Sequence, residues 1–132
     1  MTLKYSNGTR DAQQQGLIAY AGANAIIKIY DGLQPANANT AVTTQTLLVS
    51  LPIAGTFGTD ASGTLTIGSV TPTDAVANGT ASWFRIVKAD GTTVVMDGSV
   101  GTSGTDMIFP TTTFTVGLQI AISAGTIIRG NQ

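Results

Sequence analysis

Seven aspartates, Asp11, Asp31, Asp60, Asp74, Asp90, Asp97 and Asp106, are the only acidic side chains of this 132-residue chain, which has no His, no Cys and no Glu. Two converging carboxylates could share a proton and run acid–base chemistry, and roughly six to eight oxygens gathered in one place could hold calcium. Neither chemistry has support in the spacing. No D-x-D-x-D pattern occurs, and Asp31, Asp60, Asp90, Asp97 and Asp106 have Gly one or two positions away or lie in Gly/Ser/Thr-rich stretches. An aspartate in such a place is expected to bond its own backbone in a turn. The missing residue types also remove the Ser-His-Asp triad, the Cys nucleophile, the usual zinc sites and a glutamate general base. The residues therefore predict no enzyme, no metal and no cofactor.

Two further segments imitate sites. In "GSVGTSGTD", 98–106, glycines recur every third residue as in a phosphate-cradling loop, but no Lys-Ser/Thr follows and no helical pattern comes after it. A loop joining strands is the expectation. "NGT" at Asn7 and Asn78 has the form of a glycosylation acceptor, and without a secretion signal both read as turns.

What must position these residues is a β scaffold. Charged residues make up only 10% of the chain, against about 25% in an average soluble protein, and Thr, Ser, Asn and Gln take their place. Thr suits a pleated surface, while Asp, Asn and the 16 Gly suit turns. With a net charge of −1 and six cations scattered along the chain, there is no basic footprint for nucleic acid. Low charge also reduces repulsion between copies packed side by side. One domain, 1–132, is expected, held by packing and hydrogen bonds without disulfides.

The N-terminal stretch lacks an apolar core of signal-peptide length, and no window reaches the roughly 18 consecutive apolar residues of a membrane span. Synthesis in the cytoplasm, with no membrane partner, is the expectation.

Along the chain, 9–21 predicts one short helix whose face carries Ala12, Gly16, Ala19 and Tyr20, with Asn7 or Thr9 as its cap, Asp11 in its first turn and Gly22 as its stop. "AIIKIYDG" predicts a strand with Ala25, Ile27 and Ile29 on one face and Ile26, Lys28 and Tyr30 on the other. Asp31-Gly32 and Pro35 then open a long polar connection before a strand near 46–51. "GTLTIGSV" predicts another strand. "ASWFRIVKADGTTVVMDGSV" predicts a hairpin around a two-residue type I′ turn at Asp90-Gly91, setting Val87 opposite Val94 and Ile86 opposite Val95. "TFTVGLQIAIS" predicts a strand with Phe114, Val116, Leu118, Ile120 and Ile122 on one face, followed by a turn at Ala124-Gly125 and a last short strand. About seven or eight short strands at roughly 10-residue spacing describe an all-β protein, a β-sandwich or jelly roll.

Trp83 and Phe84 are adjacent and must point to opposite faces of their strand. Either both faces are covered within the chain, by the N-terminal helix for instance, or one aromatic lies in a subunit interface. Arg85, on the face of Trp83, could stack on it, anchor an interface or extend to solvent.

Taken together, "LKYSNGTRDA", "IYDGLQPAN", "WFRIV" and "DGSVGTSGTDM" resemble a family of small virion proteins of tailed bacteriophages and prophages. The resemblance implies a β-sandwich structural protein present in many copies in the virion, as a head decoration or cement protein, with the major capsid protein and copies of itself as partners. It carries no catalytic residues. Tyr30, Gly32, Pro35, Trp83, Phe84, Asp97, Gly98 and Gly101 are then fold or contact positions, and Tyr30, Gln34, Pro35, Asn37, Trp83 and Arg85 the candidate interface. The alternative function is a host-recognition module of a tail fibre or spike that binds cell-surface glycan. An Asp-based hydrolase or lyase ranks last.

Overall fold

The computed structural model describes residues 4–62 and 64–122, together with the backbone of 126–128. The helix, α1 (Asn7–Ala21), begins two residues before the expected start because Ser6 is its cap: the Ser6 side chain accepts the Thr9 N–H at 3.1 Å. Asp11 lies beyond the first turn, and Gly22 ends the helix as expected. The buried face is not the expected one. Ala12, Gly16, Ala19 and Tyr20 are exposed, while Gln14 and Ala21 are buried and Leu17 and Ile18 pack on the core. Leu and Ile bring more apolar area than Ala and Gly, and burial of that area sets the rotation of the helix.

The strands follow in order: β1 (Ile26–Tyr30), β2 (Leu47–Pro52), β3 (Gly58–Ala61), β4 (Thr64–Ile67), β5 (Thr73–Asp74), β6 (Gly79–Thr80), β7 (Trp83–Val87), β8 (Val94–Gly101), β9 (Met107–Ile108), β10 (Thr113–Phe114), β11 (Gln119–Ile120) and β12 (Thr126–Ile128). The architecture is all-β, as the composition and periodicity predict. Strands outnumber the expected seven or eight because five of them, β5, β6, β9, β10 and β11, are two residues long.

One sheet has the order β2-β1-β7-β8-β9, antiparallel except for β8 and β9, and the small ladders β10-β6, β11-β5 and β12-β4-β3 complete the fold. Alternation along β1 and β7 sends Ile27, Ile29, Phe84 and Ile86 into the core. There they meet Phe57, Leu65, Phe114 and Ile120 from beyond the sheet, and α1 lies against β3 and β4. Gly98 admits this packing, since a Cβ there would come within 2.4 Å of the Phe84 ring.

The expected C-terminal strand is broken in two. Gly117 adopts φ 87°, a conformation open to glycine and costly for other residues, and the chain turns between β10 and β11. Phe114 and Ile120 stay in the core, whereas Val116 and Leu118 are exposed. The turn expected at Ala124-Gly125 lies outside the described residues; the last strand, β12, pairs with β4.

The hairpin forms with Val87 opposite Val94, but its loop is longer than two residues. Only Gly91 has positive φ, so a type I′ turn, which needs two such residues, is absent; Gly91 N–H instead bonds the Lys88 carbonyl at 2.9 Å. A register shift follows, and Ile86 faces Met96 rather than Val95.

Candidate functional site

The outer face of the large sheet, turned away from the core, carries a polar and aromatic cluster. Antiparallel pairing sets Lys28 opposite Arg85 and Tyr30 opposite Trp83, and on the other side of β7 it sets Asp97 opposite Arg85. Tyr30 and Trp83 stack with ring centroids 4.6 Å apart and an interplanar angle of 14°. The Arg85 guanidinium carbon lies 5.4 Å from the Trp83 ring centroid, so of the three roles open to Arg85 the structure adopts the stack on Trp83.

Arg85 and Asp97 form a two-pronged ion pair, Nε to Oδ1 at 2.7 Å and Nη2 to Oδ2 at 2.8 Å, with side chains only 6% and 5% exposed. The Asp97 hydrogen bond raises the Arg85 pKa above its ordinary value, against the opposing effect of burial. Burial likewise raises the Tyr30 phenol, with Arg85 pulling the other way.

The connection 31–46 covers this cluster. Trp83 Nε1 donates to the Asp31 carbonyl at 3.0 Å, Ser82 Oγ to the Gly32 carbonyl at 2.5 Å, and Arg85 Nη2 to the Thr40 carbonyl at 2.8 Å. Asp31 Oδ1 accepts the Thr46 N–H at 2.6 Å and ties the two ends of the connection together. The segment is therefore a corner whose return path roofs the outer face of the sheet. The N-terminal helix, considered for that role from the sequence, packs on β3 and β4 instead.

Of the candidate interface residues, Tyr30, Trp83 and Arg85 are buried under this roof, Pro35 is half-buried, and Gln34 and Asn37 are exposed on it. The roof thus separates the six: three form its seat and only Gln34 and Asn37 lie open to solvent.

The Asp residues divide in a way the turn rule did not anticipate. Asp90 follows it, accepting from the N–H groups of Thr92 and Thr93 at 2.8 and 2.9 Å. Asp97, expected in a turn, is a strand residue in the buried ion pair, Asp31 bonds across the connection, and Asp60 accepts from Gln15 Nε2. Asp106 accepts from Ser99 N–H and Oγ at 2.9 and 3.0 Å, folding 102–106 between β8 and β9. Gly98–Gly101 itself belongs to β8, so the glycine-spaced segment is half strand and half loop. Asn78 holds Val116 N–H at 2.8 Å, whereas Asn7 is the first helical residue rather than a turn.

Asp90 also yields a pH prediction. The Thr93 hydroxyl, then the backbone N–H groups of Thr93 and Thr92, lower its pKa to about 2. A carboxyl depressed in the folded chain adds stability above its unfolded value of about 3.9, and that contribution is lost as pH falls toward the folded value. Carbon-detected NMR of the Asp90 carboxyl is expected to show a midpoint near 2, with the amides of Thr92 and Thr93 moving in step. A midpoint in the ordinary carboxylate range would contradict the hydrogen-bonded tip.

Between the roof and the hairpin tip lies an open groove of about 550 Å³. Its floor is Lys28, Tyr30, Arg85, Val87 and Val94, and its walls are 38–42 and 91–93, with Tyr20 at the rim. Lys28 Nζ donates to the Gly91 carbonyl at 2.8 Å, and Lys88 Nζ sits 4.0 Å from the Tyr20 ring centroid. Among the described residues, no group of three or more Asp is placed to hold a metal ion.

No family model matches this chain, and neither does any curated protein or solved structure. A different surface stands out at the opposite end of the sheet from the hairpin tip. Tyr30 carbonyl accepts from Ser82 N–H, Ser82 carbonyl from Val100 N–H, Thr112 carbonyl from Ala81 N–H and Leu48 carbonyl from Val76 N–H. These bonds gather 31–33, 74–82, 107–109 and 112–118 at that end. Five exposed large apolar side chains, Leu33, Val76, Ile108, Val116 and Leu118, come from these segments.

Sequence reasoning missed the pairing of Asp97 with Arg85, the tether of Lys28 to Gly91 and the hold of Arg85 on Thr40. The register expected for the hairpin would have set Arg85 opposite Met96 and left Asp97 facing Phe84. The extra residue in β8 moves Asp97 onto Arg85. A lone Arg in one apolar strand and a lone Asp in its partner were the available signal.

Proposed function

We infer that this chain is a structural protein of a bacteriophage virion, a head decoration protein that binds the outside of the capsid and stabilises it. The observation that carries the reading is the apolar end: Val76, Val116 and Leu118 come from one hydrogen-bonded knot in which Ala75 N–H donates to the Leu118 carbonyl and the Ala75 carbonyl accepts from Gly117 N–H, and Val76 and Val116 are 65% and 63% exposed. Exposed apolar groups gathered at one end of a small protein suit a contact surface. The four segments that resemble phage virion proteins supply the kind of assembly. A protein that binds only the assembled shell stabilises it by mass action.

The test is co-sedimentation of purified protein with undecorated heads and, in parallel, with host cells. Saturable binding to heads at a fixed ratio to the major capsid protein is the expected result. Val116→Asp combined with Val76→Asp is expected to weaken head binding by at least about tenfold, because a carboxylate would be buried in an apolar contact. Both positions are exposed, so the free protein should keep its stability. Binding to cells and not to heads would overturn the decoration reading in favour of a tail receptor-binding module.

A further inference from the structure

The groove beside the hairpin tip has a charge pattern that the contact surface at the other end of the sheet does not use. Lys28 and Arg85 are register neighbours on one face of β1 and β7, where opposed side chains have Cβ atoms about 4.5–5.5 Å apart and like charges repel. Asp97 neutralises one of the two, and its carboxylate is fully engaged by Arg85. Lys28 is half-buried, and its ammonium donates to a neutral backbone carbonyl. Among the described residues, neither Lys28 nor Lys88 has a carboxylate within ion-pair distance. Asp90, the other acid near the tip, is occupied by Thr92 and Thr93. A partly desolvated ammonium without a counterion is a site with an unmet demand for an anion.

The floor decides what kind of anion. β1 lies between β2 and β7, and β7 between β1 and β8, so the two strands that carry Lys28 and Arg85 have no free edge on which an extended peptide could pair, whereas β8 meets β9 only at Val100 and Gly101. Recognition must come from side chains and loop backbone. Asn39, Thr40, Thr92 and Thr93 supply amide and hydroxyl groups around the cation, and a volume of about 550 Å³ suits a small ligand.

We propose that this groove binds an acidic saccharide, with the sugar carboxylate on Lys28 and the ring hydroxyls on the polar walls at 38–42 and 91–93. The inference goes beyond the decoration reading and does not depend on it. As a consequence, a protein held on a particle by its apolar end would present the hairpin-tip end and its groove outward.

The test uses the full chain, nitrogen-15 labelled, titrated with trigalacturonate, with the neutral trigalactoside and with a Glu-Asp-Glu peptide. Saturable amide shifts confined to 38–42 and 91–94 are expected with trigalacturonate. The neutral sugar is expected to bind about tenfold or more weakly, since a hydrogen bond to a charged group is lost. Lys28→Met keeps the aliphatic stem and should weaken trigalacturonate by a similar factor. Because Lys28 also tethers Gly91, Ala41→Trp serves as a second variant, filling the groove from its exposed lip and abolishing binding with the tip contacts intact. No localised shifts, equal binding of the neutral sugar, undiminished binding by both variants, or tighter binding of the peptide would each overturn the proposal.

Discussion

Asp97→Ala is expected to destabilise the folded chain by about 3–5 kcal/mol, the range for removing one partner of a buried ion pair. The cause is the charge left behind. Arg85, 5% exposed under the connection 31–46, would lose the acceptor of its Nε and one of the two acceptors of its Nη2. For a domain of this size the loss corresponds to a fall in Tm of roughly 10–20 °C. Arg85 also holds the Thr40 carbonyl, so the variant should expose the roof to protease near 38–42 well before global unfolding. The double variant Asp97→Ala with Arg85→Met is expected to recover much of the stability, because no charge then remains buried. Calorimetry and limited proteolysis of the three proteins check this, and a Tm for Asp97→Ala within a degree or two of the parent would refute it.

Trp83→Ala is the second large effect, about 3–5 kcal/mol from lost burial and the cavity that remains. Trp83 is fully buried, stacks on Tyr30, and donates its indole N–H to the Asp31 carbonyl at 3.0 Å. Trp83→Phe separates these roles. It keeps an aromatic seat for the roof but orphans the Asp31 carbonyl, and a cost of about 1–3 kcal/mol is expected. Trp83 is the only tryptophan, so its fluorescence reports the seat of the roof in the parent protein, and unfolding of the variants must be followed by circular dichroism. Equal stability of the Phe and Ala variants would show that the hydrogen bond, not the packing, dominates at this position.

These two effects lie away from the main core, on the outer face of the sheet. The connection 31–46 has no regular strand or helix and contributes few apolar groups, yet it removes Trp83, Tyr30 and Arg85 from solvent. Its own polar groups are met locally: Asn37 Oδ1 accepts Asn39 N–H at 2.9 Å, and Gln45 Nε2 donates to the Leu33 carbonyl at 2.5 Å. Exposed Gln34, Leu33 and Asn37 lie on the outside of this roof, where substitutions can alter contacts with another molecule without touching the seat below.

The amino-acid sequence by itself determined the all-β class, a helix stopped at Gly22, the shared face of Ala25, Ile27 and Ile29, the shared face of Trp83 and Arg85, and the pairing of Val87 with Val94. Each of these depends on neighbours within a few positions or on strand alternation, which side-chain type and spacing encode directly. Tertiary structure decided the rest. The rotation of α1 followed from which apolar side chains had a core to enter, and the break at Gly117 followed from Ala75 and Asn78 capturing the backbone of 116–118. The pairing of Arg85 with Asp97 hung on one extra residue in β8, because a one-residue shift sends a side chain to the opposite face. The seat of the roof, the groove and the apolar end are assembled from segments far apart in the chain, and no local pattern records which of them will meet.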